Sequence, residues 1–331
     1  MALHTSFCYT GTMFVIHIIT LFIFILVLAC VFHKSFVEML PVGISGLVLL
    51  LYVLSFGRHL GWIDGIAPLL LCGGVLYFFT RKREQRKELL RQCIEILKDP
   101  STIAGLILLL LVVIGVSGKV VSWWDDYNFW ATDVKSIFYR NGFADKYANA
   151  APEFGDYPPG TQMMKWWFLH FSPGQFREGL LFAGYYVFNL SFLLPLLHYI
   201  RKKTPLSMTL GAILLWIFPT MTEVFWCDGG CADFSMAVVY GAFLVAVIDR
   251  KDVSPWLYYG RQAYLMVLVL CKNTGFVWYA FAVLFSIGVQ IINRKIGEDL
   301  WKKRTAIWGT LSVMVLPFLS GGGWFAFCYL H

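Results

Sequence analysis

Stretches of about 20 mostly apolar residues, the length that a helix needs to cross a lipid bilayer, recur along the chain from Thr12 to Phe327. Hydrophobic residues make up 58% of the 331 residues and charged residues only 14%, a balance typical of membrane proteins. We therefore predict an all-α, polytopic transmembrane helix bundle of about ten spans. The predicted spans are Thr12 to Phe32, Met39 to Phe56, Ile66 to Thr80, Thr102 to Val121, Glu178 to Ile200, Leu206 to Phe225, Phe234 to Ile248, Pro255 to Cys271, Gly275 to Ile292 and Thr305 to Phe327.

The basic residues are concentrated between these apolar stretches. They give a net charge of +7, but short basic runs between spans are typical of cytoplasmic loops, which argues against a nucleic-acid partner. A simple alternation of spans places every run on the cytoplasmic side and both termini outside. The runs are Arg81 to Arg91, Arg201-Lys202-Lys203, Arg250-Lys251, Arg294-Lys295 and Lys302-Lys303-Arg304.

This alternation divides the chain into three regions. Residues 1–121 are predicted to form N-terminal transmembrane helices with a cytoplasmic basic linker at 81–99. Residues 122–177 form an extracytoplasmic loop, and residues 178–331 form the C-terminal transmembrane helices. Because most polar side chains suited to chemistry then lie on the outer side, we expect the long outer loop to carry the function.

The outer loop begins with two aspartates, Asp125 and Asp126, followed by an amphipathic pattern that predicts a helix lying at the membrane surface. Trp130, Val134, Ile137 and Phe138 share one face of that helix, and Asn141-Gly142 supplies its end. One aspartate could simply cap the helix. Two adjacent carboxylates beside aromatic residues at an interface favour a functional role, such as a general base.

Further along the loop, Phe154 to Gly160 contains two prolines and predicts a rigid turn. The Trp-rich stretch from Thr161 to Phe171 is expected to re-enter the interface. A plain loop corner is the alternative for the turn.

Only Cys227 and Cys231 are spaced as a pair. The two glycines between them permit a tight disulfide if the face is oxidising, and packing or this disulfide is favoured over a weak metal site with Asp228.

The entry to the outer loop resembles that of the C-superfamily membrane glycosyltransferases, which have the GT-C fold. Asp125-Asp126-Tyr127, with Trp130 and Lys135 behind it, is similar to the acidic pair and helix that open their first outer loop. Tyr157-Pro158-Pro159-Gly160 is similar to a turn found in many bacterial members. The chain departs from the family in having about four predicted spans before this loop instead of one or two.

Two later features also resemble the family. An acidic residue opens a later helix, at Asp228 or Asp233, and Lys272-Asn273-Thr274-Gly275 is similar to a turn after a helix. The resemblance covers roughly Ser122 to Ile292. Each motif is weak alone, and their order on one side of the membrane makes the set more specific.

The resemblance implies transfer of a sugar from a polyprenyl phosphate or diphosphate to a hydroxyl on the outer face of a bacterial plasma membrane. Asp125 is then the first choice for general base, and Asp126 is the alternate or orients a metal or acceptor. Lys272 is the best candidate to hold the donor phosphate, although snorkelling to the interface is nearly as good an explanation. Arg261, toward the inner half of its span, ranks below it.

Other polar residues are candidates for binding the acceptor or a divalent ion, although one of them could cap the helix after Cys231. The pattern leaves room for a metal without requiring any cofactor. The expected partners are the lipid-linked sugar donor, membrane lipid and an acceptor glycan, lipid or protein. The candidate residues are Asp156, Tyr157, Glu223, Asp228 and Asp233.

Two other functions remain open from the sequence. A transporter or flippase of lipid-linked or polar substrates also has many spans, but carriers usually show repeats and broken helices at mid-membrane. A non-catalytic membrane subunit of a cell-envelope glycan pathway is the second alternative.

Overall fold

The computed structural model describes residues 2–144, 154–172, 174–222, 229–249, 255–295 and 303–331, and the regular secondary structure of these residues is entirely helical. Four segments are long and apolar enough to cross a membrane: Thr12–Phe32, Phe36–Phe56, Leu60–Thr80 and Glu178–Tyr199. A fifth arises if two helices joined by a sharp bend count as one span. The chain is thus an all-helical membrane protein.

The helices are numbered here in chain order. They are α1 (Ala2–Phe32), α2 (Phe36–Phe56), α3 (Ile63–Thr80), α4 (Arg83–Lys98), α5 (Pro100–Gly115), α6 (Ala131–Arg140), α7 (Gly160–Leu169), α8 (Glu178–Leu193), α9 (Pro205–Thr222), α10 (Ala232–Ile248), α11 (Pro255–Cys271), α12 (Gly275–Lys295) and α13 (Lys303–Leu330). Short helical turns precede α3 at Leu60–Trp62, precede α6 at Asp126–Trp130 and follow α8 at Leu194–Tyr199.

The first and third predicted spans lie in α1 and α3, but the fourth is shorter than predicted. The helix of this segment, α5, ends at Gly115, whereas the predicted span extends to Val121. The basic linker before it is itself an amphipathic helix, α4, whose surface carries ion pairs such as Arg91–Glu88 at 2.8 Å. α4 and α5 meet at a bend of 64° where Pro100 follows Asp99. Proline lacks an amide hydrogen and starts a new helix more readily than it continues one.

Several later helices have described apolar parts shorter than a full span. They are Pro205–Ile217, Ala232–Ile248, Gly260–Cys271, Gly275–Val289 and Val315–Leu330. Four of the predicted spans lie within α10 to α13: Phe234 to Ile248, Pro255 to Cys271, Gly275 to Ile292 and Thr305 to Phe327.

α2 lies at the centre of the bundle and contacts α1, α7, α8 and α11. Buried side chains occupy most of its turns, as expected of a helix that is surrounded by other helices. The Tyr52 hydroxyl donates a hydrogen bond of 2.7 Å to the Ser320 carbonyl of α13, which fixes the last helix against the first half of the chain.

The helix predicted after the acidic pair is present. A helical turn at Asp126–Trp130 leads into α6, which ends at Asn141 in the left-handed conformation with φ of 59°. Trp130, Val134 and Ile137 are buried, as the periodicity predicted. The capping alternative for the acidic pair is not seen, because Asp125 makes no side-chain capping bond.

The Trp-rich stretch after the turn forms α7, and all ten of its residues are buried in the protein, chiefly against α8. The re-entry into the interface that the sequence indicates stays a prediction. Two glycines permit this packing. A Cβ on Gly160 would lie 2.7 Å from the Leu270 carbonyl oxygen, and a Cβ on Gly184 would lie 2.6 Å from the Lys165 Cα.

A hydrogen bond joins the two residues that flank the predicted outer loop. The Glu178 carboxylate, at the start of α8, accepts a hydrogen bond of 2.6 Å from the Val121 backbone amide. Within this segment, α7 is buried among helices of the other two predicted regions.

Candidate functional site

A polar cleft of about 100 Å³ gathers residues from distant parts of the sequence. It brings Asp125, Tyr157, Asp233 and Lys272 together, four of the residues that the sequence predicted as functional. Its full lining is Trp124, Asp125, Asn128, Phe129, Trp130, Phe154, Tyr157, Cys231, Asp233 and Lys272. Aromatic rings form one wall, where Phe129 and Tyr157 meet edge to face with ring centroids 5.1 Å apart.

Lys272 and Asp233 form the ion pair of this cleft. The Lys272 ammonium, in the turn between α11 and α12, donates to both carboxylate oxygens of Asp233 at 2.8 and 3.0 Å. Burial alone would lower the pKa of Lys272, but the hydrogen bond and charge of Asp233 outweigh it and raise that pKa. Lys272 also lies 5.8 Å from the centre of the Tyr157 ring, and the Cys231 thiol donates to Asp233 at 2.7 Å.

The two adjacent aspartates have different surroundings. Asp125 is exposed and lines the cleft. Asp126 is only 1% exposed, and both of its oxygens accept from the Gly230 backbone amide, at 3.0 and 3.1 Å. Burial raises the pKa of Asp126, while the charge of Lys165 and the Gly230 amide act in the opposite direction.

Lys165 is the residue that the sequence analysis missed. It lies on α7, is fully buried, and donates a hydrogen bond of 2.7 Å to the Gly230 carbonyl. Its ammonium lies between the rings of Trp130 and Tyr185, 5.6 and 5.4 Å from their centres. Burial lowers the pKa of Lys165 to about 8, although nearby Asp126 opposes the shift. The available signal was a lysine inside the apolar run from Met163 to Trp167.

Gly230 connects these two charged groups, because its amide binds Asp126 and its carbonyl binds Lys165. A Cβ at this position would lie 3.1 Å from the Lys165 Nζ and 3.2 Å from an Asp126 oxygen. Only glycine leaves room for both contacts without displacement. A third ionisable group, Asp133 on α6, is half-buried, and its desolvated surroundings raise its pKa to about 7 against the opposing charge of Lys165.

The remaining predicted residues lie outside the cleft or outside the described chain. Asp156 accepts a hydrogen bond of 2.8 Å from the Asn273 side chain, so it joins two turns beside the cleft. Arg261 is buried elsewhere on α11, about 16 Å from Lys272 by the helical rise, and pairs with Asp249 at 3.8 Å. The acceptor candidates Glu223 and Asp228, and Cys227 of the predicted disulfide, lie outside the described residues.

An apolar groove of about 320 Å³ lies along α10, the helix that also carries Asp233 of the cleft. Its lining includes Phe234, which follows Asp233 directly, and it continues along α10 to Ala246, about 18 Å by the helical rise. Polar side chains occur at the far part of the groove, where Glu38, Arg261 and Tyr199 contribute to the wall. The polar cleft and the groove thus share one helix, α10.

No protein-family model matches this chain, and no curated protein or solved structure matches it either.

Proposed function

We propose that this protein is a membrane glycosyltransferase of GT-C-like architecture that moves a sugar from a polyprenyl phosphate or diphosphate to an acceptor hydroxyl. The observation that carries the proposal is the pairing of a polar cleft, lined by Asp125 and Lys272, with an apolar groove whose lining includes the next residue after Asp233. A lipid-linked sugar has the same two parts, a charged and polar head and a long apolar tail.

Asp125 is the proposed general base, because it is exposed in the cleft and can reach a bound hydroxyl. It would take the proton of the acceptor oxygen as that oxygen attacks the anomeric carbon of the sugar, whose bond to the phosphate oxygen breaks. Asp126 is a positioning residue in this proposal. Its buried carboxylate holds Gly230, and Gly230 precedes the start of α10 that carries Asp233.

Lys272 is the proposed partner of the donor phosphate. An ammonium group has three N–H donors, and the described contacts with Asp233 use two of them. A fixed cation at this point would stabilise the negative charge that grows on the leaving phosphate as the glycosidic bond breaks. Arg261 is too far along α11 to share this role, so the proposal assigns the phosphate to Lys272 alone.

The groove along α10 is the proposed position of the polyprenyl tail. The tail would move into the groove from lipid and not from water, so the groove would contribute through van der Waals packing and shape, independently of the sugar. The proposal places the cleft on the extracytoplasmic side of a bacterial plasma membrane, in a bundle of about ten spans, because basic runs favour the cytoplasmic side. Its partners are the lipid-linked sugar, membrane lipid and an acceptor glycan, lipid or protein.

A carrier of lipid-linked substrates is the second candidate, and one observation favours it. The groove has charged groups near both ends, Asp233 and Lys272 at one and Glu38 and Arg261 at the other, as a path for a charged head group across the membrane would.

The test uses the full chain in vesicles supplied with radiolabelled polyprenyl-phosphate sugars and a panel of acceptors, with empty vesicles as the control. Acceptor-dependent transfer, lost in Lys272→Ala through a raised donor KM, supports the glycosyltransferase. Movement of the intact donor between leaflets without transfer supports the carrier. Folded protein that shows neither result leaves a non-catalytic subunit as the remaining explanation and overturns both proposals.

A further inference from the structure

A second polar cluster lies apart from the cleft, where the middle of α1 meets the start of α3 and the end of α7. The Asp64 carboxylate, in the first turn of α3, has one oxygen 2.9 Å from His17 Nε2 and 2.8 Å from His170 Nε2. His17 belongs to α1 and His170 follows the last residue of α7. The three ligand atoms all lie within 4.8 Å of one another.

We propose that His17, Asp64 and His170 bind a divalent transition-metal ion of the zinc class. Two imidazole nitrogens and one carboxylate oxygen are ligands that zinc prefers, and three protein ligands leave a fourth position for water. The proposal does not rest on the proposed glycosyltransferase function, because none of the three residues lines the cleft.

The burial of the cluster indicates that its side chains are held in place before an ion binds. His17 is only 2% exposed although it lies in an apolar membrane-spanning helix, where a polar side chain is unfavourable unless it is bound. The rings are held by aromatic neighbours: Phe171 meets the His17 ring edge to face at 5.3 Å, and Trp166 stacks on the His170 ring at 4.7 Å. Ligands that are fixed before the ion arrives lose little freedom on binding.

The distances from the two Nε2 atoms to the Asp64 oxygen need only a small increase to accept an ion. Bonds of about 2.0–2.1 Å in a tetrahedral site place neighbouring ligand atoms roughly 3.3 Å apart. The nitrogens now lie 2.8–2.9 Å from the shared oxygen, so a small rotation of the side chains would open the site. Binding would also require each Nε2 to be free of its proton.

A metal here would connect α1 and α3 to the end of α7, the helix that carries Lys165. The ion would therefore hold the end of α7 in place, on the side of the bundle where the proposed topology places the outer face. The expected consequence is a stability that depends on the ion, because a metal that binds only the folded state stabilises it by mass action.

The test measures the metal content and melting temperature of the full chain in detergent after treatment with a chelator and reloading with zinc chloride. We expect one zinc ion per chain by mass spectrometry and a rise in Tm of several degrees on reloading. Asp64→Asn and His170→Gln should each weaken zinc binding by at least about 100-fold, the upper end of the effect of losing only a supporting contact. His59→Gln is the matched control, because His59 stacks on Trp62 and is not one of the three ligands.

Circular dichroism and size-exclusion elution establish that each variant is folded, and His170→Gln serves if Asp64→Asn does not fold. The proposal is overturned if the wild-type chain holds only substoichiometric zinc with no change in Tm, which would leave a hydrogen-bonded triad without metal. It is also overturned if both folded variants bind zinc as tightly as the wild type.

Discussion

The Asp126 carboxylate and the Lys165 ammonium bind opposite ends of the same residue: the Gly230 amide donates to Asp126, and the Gly230 carbonyl accepts from Lys165. Both side chains are almost wholly buried. The contact joins three elements, namely the start of the α6 region, α7 and the residues before α10. We infer that this arrangement sets the position of α10, and with it the position of Asp233 in the cleft.

The first prediction concerns the space at Gly230. Gly230→Ala should lower the free energy of unfolding by about 1–3 kcal/mol, because the new Cβ lies 3.1 Å from the Lys165 Nζ and 3.2 Å from Asp126. Thermal unfolding in detergent measures the effect. Gly74→Ala in α3 is the matched control, since a Cβ there meets no atom within 4 Å and should leave Tm unchanged or slightly raised. Equal Tm values for the two variants would contradict the role of Gly230.

The second prediction is a coupling between the two buried charges. Asp126→Asn should destabilise the protein by about 3 kcal/mol, because it removes the largest compensating charge of the buried Lys165 ammonium. Lys165→Met should rescue part of this loss, with a coupling of about 1–3 kcal/mol in a double-mutant cycle. Simple additivity of the two single changes would show that the residues do not act as a pair.

The third prediction follows from the lowered pKa of Lys165. Its pKa is about 8 in the folded state against an ordinary value of 10.5, so the unfolded state binds more protons between these two pH values. The stability of the wild type should therefore rise with pH across this window, by up to about 3 kcal/mol. Asp133, with a pKa raised to about 7, titrates below the window and does not interfere.

The measurement is the difference in Tm between the wild type and Lys165→Met as a function of pH. Subtraction removes the contributions of other groups that titrate in the same range. From pH 8 upward the Tm of the wild type should rise relative to that of Lys165→Met. A difference that stays flat would show that the pKa of Lys165 is not lowered in the folded state.

The fourth prediction tests the groove. Ala246→Phe should fill part of the groove along α10 and raise the KM for long-chain polyprenyl donors, with little effect on donors whose chain is too short to reach it. Ala280→Phe, on an exposed face of α12, is the control of equal size. If Ala246→Phe changes the KM of long-chain and short-chain donors equally, the groove is not the binding site of the tail.

Local patterns in the sequence predicted some parts of the structure well. Helix α6 was predictable because its apolar periodicity and the left-handed tendency of Asn141 are properties of neighbouring residues. Asp125, Tyr157 and Lys272 were each selected from local motifs, and the structure brings them into one cleft.

Other parts depend on contacts that the sequence does not display. The sequence of α7 predicts an interfacial stretch, whereas its burial depends on the close approach at Gly160 and Gly184 and on the partners of Lys165. Likewise, His17, Asp64 and His170 are separated by 47 and 106 residues along the chain and meet only in the folded bundle. The number of spans was also uncertain from composition, because apolar windows do not reveal where a helix bends or ends.

The most direct measurement of the central claim is the steady-state kinetics of Asp125→Asn with a radiolabelled polyprenyl-phosphate sugar that the wild type uses. A general base contributes about 10²–10⁴-fold, so kcat should fall by at least about 100-fold while donor KM and Tm stay near wild-type values. Lys135→Gln, on the exposed side of α6, should keep full activity. Wild-type turnover by folded Asp125→Asn would contradict the assignment of this cleft as the site of glycosyl transfer by a loop aspartate.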